Sequence, residues 1–281
     1  MSGNKNKTIA FNYFGGKFTW LDHLYANFPN DFTHLVDVFA GSMCVSLNYK
    51  GNIIKTANEI NADITNFFEV LRNHEPELTR LLLLTPCSEL EYNNCWENSD
   101  NKIEQARRFY VRVRQSFFSL GAQNKNKGWH MAKTKVNAAG GETVSKWNNA
   151  IEKLHNVAEI IRSNFQIINH DFTDCIDKLD FPKAFFYCDP PYPEETRASK
   201  NDYKFEFTTE KHIQLSDKLH KIEGMAMISS YNSELYNDLY KDWRKVEFPV
   251  KKNNIRSGEV QEVIWMNYEK KQNDLFTKHI I

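Results

Sequence analysis

The sequence has no apolar stretch that would hold it in a membrane: runs such as Leu81 to Leu84 fall far short of the roughly 20 residues a bilayer-crossing helix needs. Its first residues, Met1-Ser2-Gly3-Asn4-Lys5-Asn6-Lys7, are polar and lack the apolar centre of a secretory signal, so a soluble cytoplasmic protein is expected. Cysteine is sparse and unpatterned. Cys44, Cys87, Cys95, Cys175 and Cys188 are odd in number and contain no C-x-x-C pair, which argues against a disulfide framework or a zinc site and for free thiols in a reducing compartment. His34, His155 and His170 show no metal-ligand spacing, so no metal is expected. The pattern G-x-G-x-x-G is missing, which disfavours a nicotinamide dinucleotide. Internal repeats and low-complexity tracts are missing too.

There is also no net charge, since 36 Lys and Arg balance 36 Asp and Glu. Taken as an average this disfavours a nucleic-acid partner, because phosphate neutralisation dominates such binding. The distribution reverses the inference. Between Lys102 and Lys146 ten cations face only Glu104 and Glu142, an excess of about eight positive charges that the rest of the chain must offset. Phe109, Tyr110, Phe117, Phe118, Trp129 and Trp147 lie among these charges, as do Gly121, Gly128, Gly140 and Gly141. A solvated helix face with a loop would account for the charges alone; the interleaved aromatics favour a DNA-facing surface that includes Arg112, Arg114, Lys125, Lys127, Lys133 and Lys135.

With 281 residues the chain is long enough for one large domain, or for a catalytic domain carrying a smaller insertion. Short apolar runs alternate with helical patterns at both ends, the signature of a parallel sheet covered by helices. Strands are predicted at Leu35 to Phe39, Asn52 to Asn58, Phe165 to His170, Ala184 to Cys188, Met225 to Ser230, Lys245 to Val250 and Glu262 to Tyr268. Helices are predicted at Ala62 to Asn73, Thr209 to Glu223 and Ser233 to Asp242, with a short one through Cys44 to Asn48. The ninety or so residues from Glu75 to Asn164 hold no convincing strand and are too many for a simple crossover. They read as a helical insertion (75–164) within a catalytic domain (1–74 and 165–281), with helices near Ile103 to Leu120 and Val144 to Ser163 around a basic loop.

The most specific feature is Asp189-Pro190-Pro191-Tyr192, directly after the apolar run Ala184-Phe185-Phe186-Tyr187-Cys188. A strand-ending turn would explain the prolines, yet at average composition this tetrapeptide arises by chance in roughly one chain in a thousand. Its place at the carboxyl end of a buried strand is where open α/β sheets bind ligands. The residue types suit methylation of an adenine amine, a poor nucleophile whose lone pair is drawn into the ring. Asp189 would accept one N–H and the Pro190 carbonyl the other, preorganised for the charge that develops as nitrogen becomes tetrahedral. Tyr192 would offer a flat face to an extruded base.

Two further segments suit a nucleoside cofactor. In Val36-Asp37-Val38-Phe39-Ala40-Gly41-Ser42-Met43 a strand runs into a small-residue turn, where Gly41 allows close backbone approach and Asp37 offers a partner to a cationic group. Asn58-Glu59-Ile60-Asn61 ends the next strand about twenty residues on, the spacing of an acid that binds ribose hydroxyls, although a helix N-terminal acid is the commoner case.

Together these segments resemble the Dam-type family of DNA N6-adenine methyltransferases, in which the cofactor motif precedes the catalytic one. Tyr13-Phe14-Gly15-Gly16-Lys17 is similar to that family's N-terminal aromatic-Gly-Gly-Lys signature and is implied to help hold the cofactor. The resemblance implies S-adenosyl-L-methionine as methyl donor, double-stranded DNA as substrate, and a seven-stranded Rossmann-like methyltransferase sheet with an inserted helical target-recognition subdomain. It assigns Asp37, Phe39, Ala40, Gly41 and Ser42 to the cofactor loop, Glu59 with Ile60 to the ribose, and Asp171-Phe172 to a place beside the cofactor adenine. Tyr203, Phe207, Thr208 and His212 look like the loop and helix after the catalytic motif; Ile228 to Asn232 and Glu262 to Tyr268 look like the last strands. Two departures stand out. Met43 replaces a residue that is often small, and Arg114-Gln115-Ser116-Phe117-Phe118-Ser119 only loosely follows the family's recognition pattern.

Relatives acting on other planar amines, such as cytosine N4, RNA adenine or protein glutamine, commonly open the motif with Ser or Asn, so Asp189 counts against them. A DNA-binding protein with a decayed site is disfavoured by the intact Lys17, Glu59 and Asp189. The sequence leaves the oligomeric state open, with a monomer favoured.

Overall fold

A computed structural model describes residues 7–13, 15–117, 128–131, 136–137, 140–193, 195, 207–252 and 259–270. Seven strands form one sheet: β1 His34–Asp37, β2 Ile54–Asn58, β3 Phe165–Ile168, β4 Ala184–Cys188, β5 Met225–Tyr231, β6 Arg244–Glu247 and β7 Glu262–Met266. Their order is β3-β2-β1-β4-β5-β7-β6, and β7 alone runs antiparallel to its neighbours. All seven predicted strands are present, most of them a few residues shorter than predicted. Two-residue ladders at 136–137 with 140–141 and at 251–252 with 259–260 stand apart.

The central strands are buried along their whole length because helices cover both faces, which is why they read as unbroken apolar runs. Side chains nevertheless alternate. Val36, Phe186, Cys188, Ile228 and Trp265 enter one core with α9 (Phe172–Leu179), α10 (Thr209–Leu219) and α11 (Glu234–Leu239). Leu35, Phe185, Tyr187, Met227 and Ile264 enter the other with α1 (Leu21–Asn27) and α2 (Cys44–Asn48). Neither α1 nor α9 is predicted by periodicity, and both are short.

Residues 75–164 are largely helical: α4 Glu75–Leu84, α5 Glu89–Asn94, α6 Lys102–Gln115, α7 Glu142–Glu152 and α8 Leu154–Asn164. The single helix predicted from Val144 to Ser163 is two, with Lys153 turning the chain so that Trp147 and Ile151 on one side and Leu154, Val157 and Ile161 on the other all reach the core. These helices share a buried cluster with α3 (Ala62–Asn73) and Phe11; Phe67 stacks on Tyr110 with centroids 5.3 Å apart. Among the described residues no helix is long and apolar enough to cross a membrane.

Candidate active site

Strands β1, β2 and β4 end side by side, and their carboxyl-terminal residues open onto one cleft. After β1 the chain turns at Gly41 with φ +49°, a left-handed conformation that glycine adopts without strain; a Cβ there would lie 2.9 Å from the Tyr13 ring. The next left-handed residue, Met43 with φ 55°, has no such freedom, so burial of its side chain beside Leu47 must hold it there. Its backbone opens α2, whose Ser46 hydroxyl donates to the Asp37 carboxylate at 2.7 Å. Burial drives the Asp37 carboxyl up to about 7, more than the Ser46 bond draws it down.

Glu59 clamps the same turn from β2. One carboxylate oxygen accepts the Gly41 N–H at 2.8 Å and the other accepts the Asn61 N–H at 2.9 Å, just where Asn61 caps α3. Burial raises the Glu59 pKa despite these two backbone bonds. With Ile60, Phe39, Ala40 and Ser42 beside it, the acid sits on a mostly apolar wall, which is the chemistry a nucleoside requires.

Asp189 lies across the cleft. Its two polar contacts converge on one oxygen: Lys17 Nζ lies 2.7 Å from Oδ1 as an ion pair, and the Ser229 hydroxyl donates to it at 3.0 Å. Among the described residues Oδ2 has no protein partner. The Lys17 ammonium is buried and also donates to the Gly15 carbonyl at 3.0 Å and the Tyr192 hydroxyl at 2.6 Å, with Glu262 at 3.3 Å. Tyr192 donates in turn to Glu262. Burial raises the Glu262 pKa, and Lys17 opposes that shift.

The cleft thus brings together most of the residues singled out in the sequence: Tyr13, Gly15, Gly16 and Lys17 from the amino-terminal signature, Asp37 to Ser42 apart from Val38, Glu59 with Ile60, and Asp189 to Tyr192. Phe14 lies outside the described residues. The structure places the other expected residues as follows. Asp171 and Phe172 do not line the cleft: Asp171 caps α9 through the Thr173 N–H at 3.0 Å, and Phe172 packs behind Phe39 with ring centroids 5.9 Å apart. Tyr192 lines the cleft, with Lys17 Nζ 4.8 Å from its ring centroid and the Tyr231 ring in a T-shaped contact at 4.7 Å. Arg112 points inward from α6, with its guanidinium 3.0 Å from Asp63 and over the Trp96 ring.

Two other α6 charges are also neutralised at close range. Arg107 pairs with Glu91 and Glu104, and Arg108 with Glu104, while Arg114 donates to the Lys146 carbonyl at 3.3 Å. The charge excess counted along the segment overlooked Asp63 and Glu91, which come from outside it. Lys125, Lys127, Lys133, Lys135 and Tyr203 lie outside the described residues. Phe207 and His212 form an edge-to-face pair at 4.7 Å in the neighbouring core, and Thr208 caps α10.

Sequence reasoning gave no role to Ser46 and Tyr187, and placed Ser229 and Glu262 only within the last strands. The last was legible as an acid opening an otherwise apolar strand; the other three carry no such mark.

A family model described as D12 class N6 adenine-specific DNA methyltransferase matches residues 13–257. A relative named DNA N-6-adenine-methyltransferase, from Escherichia phage P1, is 26% identical over 256 residues, which cover 83% of this chain and 31% of the relative. The chain therefore spans about a third of that relative's length.

Proposed function

Because the chain belongs to the D12 class N6 adenine-specific DNA methyltransferase family, we propose that it transfers a methyl group from S-adenosyl-L-methionine to the N6 amine of an adenine extruded from double-stranded DNA, site-specifically and in the cytoplasm. The observation that carries this reading is the asymmetry of Asp189. Lys17 and Ser229 anchor Oδ1 and leave Oδ2 as an acceptor fixed on the cleft wall. A carboxylate held this way is complementary to an amine whose N–H bonds grow more acidic as nitrogen attacks, and holding it costs no reorganisation during the reaction. Pro190 and Pro191 stiffen the segment, so the Pro190 carbonyl is held near Asp189 as the second acceptor.

The cleft fits the nucleoside donor on the grounds of its own residues. Glu59 is held by two backbone N–H groups beside the Gly41 turn, with acceptor capacity left for vicinal hydroxyls, and Phe39 and Ile60 supply apolar surface. The Asp37 carboxyl, raised to about 7 by burial, is poised to ionise next to a cation. When bound, S-adenosyl-L-methionine supplies a methyl group on a cationic sulfur. The protein's part is then to align the amine for in-line displacement and to exclude water, and this alignment provides much of the acceleration. No covalent enzyme intermediate is required.

Purified protein incubated with labelled S-adenosyl-L-methionine and genomic DNA should yield N6-methyladenine on nucleoside analysis. In Asp189→Ala the yield should fall by about 10³-fold or more while DNA affinity stays within a few fold. Label on cytosine, or an Asp189→Ala variant with wild-type turnover, would refute the assignment.

A further inference from the structure

Glu262 opens β7 on the far side of β5 from the catalytic strand β4, in register with Tyr231, and has so far been assigned no role beyond its place in that strand. It is buried and carries one hydrogen bond donated by Tyr192 and one ion pair with Lys17 at 3.3 Å. From this geometry we infer that Glu262 is a positioning residue, which works through the Tyr192 hydroxyl to press the Lys17 ammonium onto Oδ1 of Asp189. The inference rests on the methyl-transfer reading and assigns Tyr192 a different part in it.

A phenolic hydroxyl has a single proton. Given to Glu262, that proton leaves the Tyr192 oxygen lone pairs pointing at Lys17 Nζ, 2.6 Å away, while Lys17 also donates to the Gly15 carbonyl and forms an ion pair with Asp189. The chain Glu262, Tyr192, Lys17, Asp189 therefore has a fixed polarity. Without the carboxylate the hydroxyl proton is free to turn towards the ammonium, which would push Lys17 off its place and unpin Oδ1. The opposite side of Asp189 is held the same way, with the Tyr187 hydroxyl 3.1 Å from Ser229 Oγ and Ser229 donating to Oδ1. The edge-to-face packing of Tyr192 on Tyr231 and the cover of Lys17 over its ring agree with a residue whose hydroxyl, more than its face, does the positioning.

Glu262→Gln tests this, because glutamine keeps the volume but presents an amide that can donate to Tyr192 and so reverse the polarity. The single-turnover rate of methyl transfer should fall about 10- to 100-fold with the dissociation constant for S-adenosyl-L-methionine within about threefold. In a Tyr192→Phe background, where the relay is already broken, the same substitution should cost less than about twofold more. A Glu262→Gln rate within about twofold of wild type, a loss confined to cofactor affinity, or losses that multiply across the double variant would each overturn the inference. If Glu262→Gln fails to fold, Tyr192→Phe alone should reproduce the rate loss, and a full rate in that variant overturns it. Carbon-13 labelling at tyrosine Cζ in the free protein separates this from the activity itself. The Tyr192 signal, identified by its disappearance in Tyr192→Phe, should move in Glu262→Gln, and an unmoved signal rejects the relay even should the wild-type protein methylate nothing.

Discussion

Among the described residues Lys17 is the cation that bridges two carboxylates, Asp189 and Glu262, and Lys17→Met shows what it holds together. Its Nζ is 2.7 Å from Asp189 and 3.3 Å from Glu262. At an effective dielectric of about 20, unit charges at those distances attract by about 6 and 5 kcal/mol before desolvation is counted. Desolvation cancels part of this, and deleting one partner of a buried pair typically costs about 3–5 kcal/mol, because the charge left behind has lost both water and its counter-ion. Methionine fills the space of the lysine stem, so the loss reports charge more than a cavity. The deficit should depend on pH with a defined sign. Burial raises the folded-state pKa of Glu262 and Lys17 restrains it, so the variant raises it further. A carboxyl whose folded pKa lies above its unfolded value contributes stability below the unfolded value and loses it as pH rises through the folded one. Urea unfolding of wild type and Lys17→Met from about pH 8 down to about pH 5.5 should therefore show a deficit of about 3–5 kcal/mol at the alkaline end that narrows by about 1.4 kcal/mol per unit once the carboxyl is protonated. A deficit independent of pH would refute the electrostatic account, and so would unchanged stability with unchanged methyl transfer.

Three shorter predictions follow from the same geometry. Asp37→Asn keeps an acceptor for Ser46 and removes a carboxyl raised to about 7, so its stability relative to wild type should be greatest above pH 7 and shrink as the pH falls towards 4, read from urea midpoints across that range. Gly41→Ala places a Cβ 2.9 Å from the Tyr13 ring at φ +49°, and should weaken S-adenosyl-L-methionine binding by about tenfold in calorimetry while DNA affinity holds. Arg112→Met should cost about 3 kcal/mol in unfolding, because the Asp63 carboxylate keeps its bond from Gln105 but loses its counter-charge, and leave the salt dependence of DNA binding unchanged; neutralising Arg114, Lys125 and Lys127 should flatten that dependence.

The catalytic half was legible because its signals are local. Ala184 to Cys188 is apolar throughout as a doubly covered strand must be, and its two prolines mark where the ladder stops. The Gly41 turn and Glu59 could be found for the same reason, since each follows its strand within a few residues. Helix ends were legible where a side chain caps them, as at Asn61, and less so at Leu219, where His220 ends α10 without a glycine or proline to announce it.

Read alone, the sequence determined the seven strands, the order of the motifs and the chemistry each could supply, since periodicity and turn residues act over a few positions. Only the tertiary structure decided which charges are spent on one another. Arg112 reads as a surface cation until Asp63, 49 positions earlier, is folded against it, and Glu262 reads as a strand-end acid until Lys17 and Tyr192 arrive from 245 and 70 positions away. Pairing energies depend on distance in space and on loss of water, and neither is a property of spacing along the chain.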